Sequence, residues 1–380
     1  MSSLLLSLSS RPSLRKLALR CHTLRMFSSS SSTTTNPYLM YRITNYGSSF
    51  DDIDVTSNLH YFDPVKEDEV IVGGKAFPME LRKTSLVGMS HGWGVFNESG
   101  EHKALYVSDY CNPCGSKSNP KVIPLHPMGQ PNITQTRVIT NAAMTCSPDQ
   151  SKDFAVAVNC LGLEINFFRP GGKPNSSLLG AFQTQSHYFD QSKVMYSKRD
   201  EKFYTPSVGG HFLVFWDSCF EEDLTGSQMH ELQFCNLPEV TQSEWELFDS
   251  CSPPTAHLVE SPSGQRFLIK WYAQNYQPGQ IMTFLCGGTK RFMVFREEED
   301  MSMSYTEDIG DLCIFLGNSE PFCVKASSCP GLNPNSIYFA GDGFGVYDIA
   351  TKKPRSFRLK SHSAFSETPV FPFWIPPMSL

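Results

Sequence analysis

The stretch Ile337-Tyr-Phe-Ala-Gly-Asp-Gly-Phe-Gly-Val-Tyr-Asp-Ile349 consists of two apolar, aromatic-rich runs joined at Gly-Asp-Gly. β-Branched and aromatic residues suit a pleated, half-buried strand. Gly341, Gly343 and Gly345 fit a tight hairpin turn that needs positive φ, and Asp342 can hydrogen-bond locally within it. The segment therefore reads as a β-hairpin. Its glycine spacing is wrong for a dinucleotide-binding loop, and a strand instead of a helix follows.

The same strand-turn-strand unit recurs. Phe154-Ala-Val-Ala-Val-Asn-Cys-Leu-Gly-Leu-Glu-Ile-Asn-Phe-Phe168 and Phe203-Tyr-Thr-Pro-Ser-Val-Gly-Gly-His-Phe-Leu-Val-Phe-Trp216 are clear copies. Weaker ones pair Trp93–Phe96 with Ala104–Val107 across Asn97–Gly100, and Phe267–Tyr272 with Phe292–Phe295. The starts at Phe154, Phe203, Phe267 and Ile337 are separated by roughly 50 to 70 residues, near or above the period of kelch repeats. An isolated hairpin is marginally stable and exposes two edges, so such units must stack or close on one another. Radial closure over residues 51–380 predicts an all-β, kelch-like β-propeller of six or seven blades. A β-sandwich pair is the competing arrangement. Long helical periodicity is absent, and only Gln242–Phe248 is expected to make a helical turn or two.

The C-terminal third carries the most specific features. Asp308-Ile-Gly-Asp-Leu-Cys-Ile-Phe-Leu-Gly317, Cys329-Pro-Gly331, Asn335-Ser-Ile-Tyr-Phe339, Gly345-Val-Tyr-Asp348 and Phe373-Trp-Ile-Pro-Pro377 follow in that order. Read physically, Leu312–Leu316 is a short buried strand punctuated by Gly310-Asp311 and Gly317-Asn318. The prolines around Trp374 suggest a rigid, extended tail whose indole packs on a blade. Together these elements resemble the plant family called "domain of unknown function 295", β-propellers related to F-box/kelch proteins. The resemblance is firm over residues 290–377 and looser from about residue 55. Many members of that family have an F-box, a helical module that docks a ubiquitin-ligase adaptor, ahead of the propeller. Residues 28–50 read here as a Ser/Thr-rich linker, too short and too polar for such a module. The chain thus resembles the organelle-targeted branch of the family in mustard-family plants, in which a presequence stands in the place of the F-box.

Residues 1–50 contain no Asp or Glu but carry Arg11, Arg15, Lys16, Arg20 and Arg25 among many serines. Leu14, Leu17, Ala18, Cys21 and Leu24 fall on one helical face, opposite Arg15, Lys16 and Arg20. An acid-poor, basic amphipathic segment is the composition of an organellar transit peptide, here residues 1–27. The leucines at 4, 5, 6 and 8 offer a secretory signal as the alternative, against which stand the serines that interrupt them, the basic residues that follow instead of preceding, and the missing A-x-A-like cleavage site. Arg25-Met26-Phe27 before Ser28 resembles a plant mitochondrial processing site, which places the protein in the mitochondrial matrix, with the chloroplast or dual targeting as alternatives. No stretch approaches the roughly 20 apolar residues of a membrane span.

The chain has 32 Lys and Arg against 38 Asp and Glu. Loss of residues 1–27 would remove five of those 32 cations and none of the 38 acids, leaving a net charge of −11. An acidic surface repels phosphate backbones, so no nucleic-acid partner is expected. The 12 cysteines form no framework and read as mostly free, buried thiols. Cys111-Asn-Pro-Cys114 has ligand-like spacing but only His102 and His126 nearby to complete a zinc site, and it reads as a turn. His91-Gly-Trp-Gly94 is likewise a turn with a lone histidine. The acidic run Glu297–Asp300, with Glu307, Asp308 and Asp311, reads as a solvated loop, its alternatives being Ca²⁺ or a basic partner segment. Asn132-Ile-Thr134 matches a glycosylation acceptor, which an organellar address makes irrelevant. The serine-nucleophile elbow, the phosphate-binding P-loop and the zinc-protease helix motif do not occur. No catalytic residue, cofactor or metal is expected, and the functional expectation is a non-enzymatic interaction module with an unidentified organellar protein partner. The alternative is an enzyme or small-ligand binder using the propeller channel. Protein recovered from mitochondria should begin at Ser28; N-terminal mass spectrometry that finds Met1 retained removes the presequence assignment.

Overall fold

Apolar runs that cannot bury both faces as lone hairpins are here built into six sheets, which form the six blades of a propeller. The computed structural model describes residues 35–46, 55–98, 104–125, 138–160, 164–170, 178–183, 189, 192–217, 228–274, 288–359 and 372–378. Arg25, Phe27 and Ser28 lie outside the described residues, as do His102, His126 and Asn132–Thr134.

Blade 1 holds β1 (Tyr38–Tyr46), β2 (Thr56–Asp63) and β3 (Asp68–Ala76). Blade 2 is β4 (Thr84–Ser90), β5 (Trp93–Glu98), β6 (Leu105–Ser108) and β7 (Val122–Leu125). Blade 3 is β8 (Ile139–Met144), β9 (Val156–Cys160), β10 (Glu164–Phe168) and β11 (Leu178–Gln183). Blade 4 is β12 (Met195–Ser197), β13 (Lys202–Pro206), β14 (Phe212–Asp217) and β15 (Gln228–Glu231). Blade 5 contains β16 (Phe234–Cys235), β17 (Thr255–Glu260), β18 (Arg266–Ala273), β19 (Thr289–Glu297) and β20 (Met303–Thr306). Blade 6 contains β21 (Leu312–Leu316), β22 (Phe322–Lys325), β23 (Ser336–Gly341), β24 (Gly343–Asp348) and β25 (Lys353–Ser356). The last strand, β26 (Phe373–Ile375), returns to blade 1, whose order is β26-β1-β2-β3.

The strands β26, β4, β8, β12, β17 and β22 lie at one edge of their sheets and touch in succession, so they line the propeller axis. Most pairings are antiparallel. Blade 6 departs from this: β21 and β23 run parallel, with β22 and a 3-10 turn at Ala326–Ser328 between them in the chain. A single α-helix among the described residues, α1 (Gln242–Asp249), precedes β17 and has a complete capping box between Thr241 and Glu244.

Six apolar clusters fill the six junctions between blades. At the junction of blades 6 and 1, Phe315 and Tyr338 meet Phe62, Leu39 and Trp374. Between blades 5 and 6, Trp271, Phe292, Phe339 and Tyr347 form a continuous set of ring contacts. The Gly-Asp-Gly hairpin is the turn between β23 and β24. Only Gly343 of its three glycines has positive φ, at 119°. Gly345 is needed for a different reason: a Cβ there would lie 2.3 Å from the carbonyl oxygen of Arg355 on β25.

Two expectations change. The propeller starts before residue 51, because Tyr38–Tyr46, inside the stretch read as a linker, pairs with both β2 and β26. The stretch Leu39-Met-Tyr-Arg-Ile-Thr lacks a period of two, because Leu39, Met40 and Tyr41 are buried in succession where the register shifts between Met40 and Arg42. Phe373-Trp-Ile375 is a strand and not an extended tail beside a blade; Trp374 is fully buried, and its indole N–H donates to the Leu316 carbonyl at 3.1 Å. The closing sheet therefore joins the C-terminal strand β26 to β1–β3, with β1 between β26 and β2. Trp374→Ala removes both the packing and the hydrogen bond, and should cost about 3–5 kcal/mol. Urea unfolding that shows a loss below about 1 kcal/mol would contradict this closure.

Candidate functional site

Inner strands end where their hairpin turns begin, and three of these ends converge on one carboxylate. β4 ends at Ser90, β8 at Met144, and β12 contains Tyr196. Glu320 comes from blade 6, just before β22, yet it bonds groups of blades 2 and 4. The Ser90 hydroxyl donates to its Oε2, and the Tyr196 backbone N–H donates to Oε1 at 2.7 Å. Its own N–H donates to the Met89 carbonyl at 2.8 Å. Ser90 Oγ also accepts the Met144 N–H at 3.1 Å, which brings in blade 3. A side chain reaching non-adjacent blades must lie across the axis. Burial pushes the Glu320 carboxyl up to about 7, although the Ser90 and Tyr196 hydrogen bonds and the positive Lys198 oppose the shift.

Beside it, His91 and Gly92 form the two-residue β4–β5 turn, with φ of 50° and 77°, the left-handed pair that such hairpins require. The His91 ring nitrogen Nε2 lies 3.2 Å from the Met144 carbonyl. Burial and then Lys198 lower its pKa to about 4. Further round the axis, His257 on β17 is lowered to about 3 by burial and by Lys193. Burial also lowers Lys193, to about 8; its ammonium donates to the Thr140 carbonyl at 2.8 Å. Asn141 exchanges two hydrogen bonds with the Val194 backbone, at 2.9 and 3.0 Å, and Asn159 donates to Ser192 O at 2.6 Å. Glu260 of blade 5 accepts from the Ser197 hydroxyl and from the Lys198 and Arg199 backbone N–H groups of blade 4. The axis is thus a belt of polar side chains, most of them bonded across blade boundaries. Such groups are costly to bury unless satisfied, and here the partners are supplied by neighbouring blades.

The Cys-Asn-Pro-Cys segment performs a related task. Lys75 of β3 is fully buried, and its ammonium donates to the Asn112 carbonyl at 2.7 Å, while Tyr110 lies under it at 5.8 Å. Asn112 Oδ1 accepts from the Cys114 N–H at 2.8 Å, which closes the turn. Burial raises the Cys111 thiol to about 12, so it stays protonated, and Cys114 is exposed. The segment is a lysine clamp between blades 1 and 2. Among the described residues, no group of three or more His, Cys, Asp or Glu is placed to hold a metal.

The acidic run is not wholly solvated. Glu297 is buried and receives Arg266 on both oxygens, as well as Arg199 at 2.8 Å. Arg266 also reaches Asp200 at 2.6 Å and lies over the Tyr204 ring at 4.5 Å. Glu297 is the last residue of a strand, where alternation points it into the seam between blades 4 and 5. Glu320, Ser90 and His257 were not singled out from the sequence as site residues; a glutamate directly before Pro321, at the start of an apolar strand, is the one local sign of an inward-facing acid.

The pH dependence of stability follows from these shifts. Glu320 has a raised folded pKa, so its contribution is fully present below about pH 4.5 and is lost as pH rises to about 7. His91 and His257 have lowered values, so their contributions are present above pH 6.5 and are lost as pH falls toward about 4 and about 3. Glu320→Gln should therefore gain on the wild type by roughly 3 kcal/mol between pH 4.5 and 7 and hold that gain above it. Denaturation of both proteins across this range checks it, and a difference independent of pH would refute the assignment.

No curated protein matches the sequence. Among solved structures, a putative 6-phosphogluconolactonase from Bacteroides uniformis is 13% identical, with 90% of this chain and 100% of that one covered at a TM-score of 0.37. A member of the duf4221 family from Bacteroides vulgatus is 9% identical, with 86% and 91% covered at 0.38. Raptor from Chaetomium thermophilum is 9% identical at 0.35; the match takes in 74% of this chain but only 21% of that one. Likenesses this distant carry nothing about chemistry. The match that does bear on identity runs over residues 62–357, from the end of β2 to just past β25, and by it the chain belongs to the KIB1-4 β-propeller family.

Proposed function

We propose that this protein is a non-enzymatic, protein-binding β-propeller of a plant organelle, the mitochondrial matrix before the chloroplast, without the ubiquitin-ligase role of F-box relatives. The observation that carries this reading is the state of the axis. The groups that converge there, Ser90, His91, Tyr196 and Glu320, bond to one another or to neighbouring strands. Recognition then falls to the outer surface. There, Leu237 and Trp245 are 61% and 54% exposed, and tryptophan is enriched in protein interfaces. The acid-free, arginine-bearing segment before residue 51 supports the organellar address.

A second reading, an enzyme or small-ligand binder working through the channel, is favoured by one observation: the Glu320 carboxyl sits near neutrality beside a serine hydroxyl. The two separate experimentally. Affinity purification of the tagged protein from isolated plant mitochondria should recover a stable protein partner, and Glu320→Gln should leave that recovery unchanged. Repeated recovery of the bare monomer counts against the first reading.

A further inference from the structure

Between β16 at the outer edge of blade 5 and β17 at the axis, residues 236–254 carry the chain across one end of the sheet. The contacts follow the strand order. Asn236 donates to the Ser304 hydroxyl of β20 at 2.8 Å, and Glu244 pairs with Arg291 of β19 at 3.2 Å. Phe248 lies against the Tyr272 ring of β18 at 4.6 Å, and Cys251 bridges to Gln274 just past that strand. The crossover contains α1, and a pitch of 3.6 residues per turn sorts the helix into two faces. Glu244, Leu247 and Phe248 are half-buried against the blade, whereas Gln242, Trp245, Glu246 and Asp249 are exposed and share an arc of about 100° on the other side.

The helix is seated by Glu244, which closes the capping box and pairs with Arg291, and by Phe248. Trp245 adds little to that seating: its ring meets Phe248 edge-on at 6.4 Å and is otherwise turned to solvent. The surroundings are acidic. From Phe203 to Gln265 the chain has ten Asp and Glu and no Lys or Arg. Glu239, Glu246 and Asp249 are exposed around Trp245; Glu246 accepts from the Gln242 amide at 3.3 Å, and none of the three has an ion-pair partner among the described residues. The cations near α1 come from blades 5 and 6 on the side of the helix that faces the sheet. Arg291 is held by Glu244, Lys352 by Glu307 at 2.6 Å, and Lys290 lies toward Cys251.

Resting on the protein-binding reading above, we propose that the outer face of α1, with Trp245 at its centre, docks a basic segment of a partner protein in which Arg or Lys flanks apolar side chains. An indole face takes a guanidinium or ammonium group better than any other ring does, and it offers apolar area to the side chain beside that cation. Exposed ion pairs contribute little singly, so Trp245 carries the affinity, while Glu239, Glu246 and Asp249 select the sign of the partner and speed the encounter. Nucleic acid and anionic lipid are repelled by the same carboxylates. A second copy docking through a two-fold axis would set this face against itself, acid against acid.

The test uses the full chain and the fluorescence anisotropy of three labelled peptides of one length: arginine and leucine on opposite faces of a helix, the same with glutamate for every arginine, and the same with serine for every leucine. The arginine-leucine peptide should bind at least about tenfold more tightly than either of the others. Trp245→Ala should weaken it by about tenfold or more. Glu246→Gln combined with Asp249→Asn should weaken it and flatten its dependence on salt. All three side chains are exposed, and thermal melts confirm that the variants fold. Equal binding of the arginine and glutamate peptides, unchanged affinity in Trp245→Ala, or no change in anisotropy at about 100 μM protein would each overturn the assignment. So would self-association in the ultracentrifuge that Trp245→Ala abolishes, which gives the face to a second copy. In the purification from mitochondria, a partner recovered equally by the wild type and Trp245→Ala removes this surface and leaves the protein-binding reading standing; peptide binding without any recovered partner does the reverse.

Discussion

Everything in this fold depends on three residue pairs: Tyr38 with Ile375, Leu39 with Trp374, and Met40 with Phe373. They join the first strand to the last and place β26 on the axis beside β4. Without them blade 1 would have no inner strand, and the cores on either side of it would be open to water. Trp374 serves one of these directly, packing edge-on to Phe315 at 5.0 Å and bonding to Leu316. Met40, Leu59, Phe373 and Ile375 serve the other, against Met89 and Phe96 of blade 2. A radial array has no free inner edge only if its ends meet. The short pairing of β26 with β1 therefore supports six interfaces and not one.

The blades were legible in the sequence to the extent that their strands are buried on both faces. The hairpins around Phe154, Phe203, Phe267, Ile337 and Trp93 correspond to β9–β10, β13–β14, β18–β19, β23–β24 and β5–β6, the middle strands of blades 3, 4, 5, 6 and 2. Central strands are apolar runs because both faces meet neighbouring blades. The edge strands carry no such mark. β12 is only three residues, Met-Tyr-Ser, and the exposed outer strand β25 is Lys-Pro-Arg-Ser. β1 is hidden for a further reason: a register shift between Met40 and Arg42 breaks its period of two, and it follows a serine and threonine tract that dominates local composition. The six-blade count needed the edges, since only the inner strands reveal how many units surround the axis.

Site residues were less legible than strands because their meaning lies in non-local bonding. Glu320 and Ser90 are 230 residues apart in the chain, and nothing in either local sequence pairs them. Arg266 and Glu297 are separated by β18 and β19, whose register brings the two ends of a hairpin together. The same physics unites the axis, the Lys75 clamp and the arginine seam. Each buries charge or polarity at a boundary between blades, where a partner from the next blade removes the cost of desolvation. Apolar clusters hold the blades together with little angular preference; these polar contacts fix which blade meets which and at what offset.

The parallel pair in blade 6 adds a kinetic dimension to that geometry. β21 and β23 become neighbours only after β22 and the turn at Ala326–Ser328 have doubled back to the axis, and β1 gains its inner partner only when residue 373 is available. A chain emerging from the ribosome N-terminus first carries β1 with an unsatisfied row of amides and carbonyls until synthesis is nearly complete. Contacts of such long sequence separation slow the search for the native state. The ring is therefore a late event in the life of each molecule, and its unclosed precursor presents a bare strand edge to every other nascent copy.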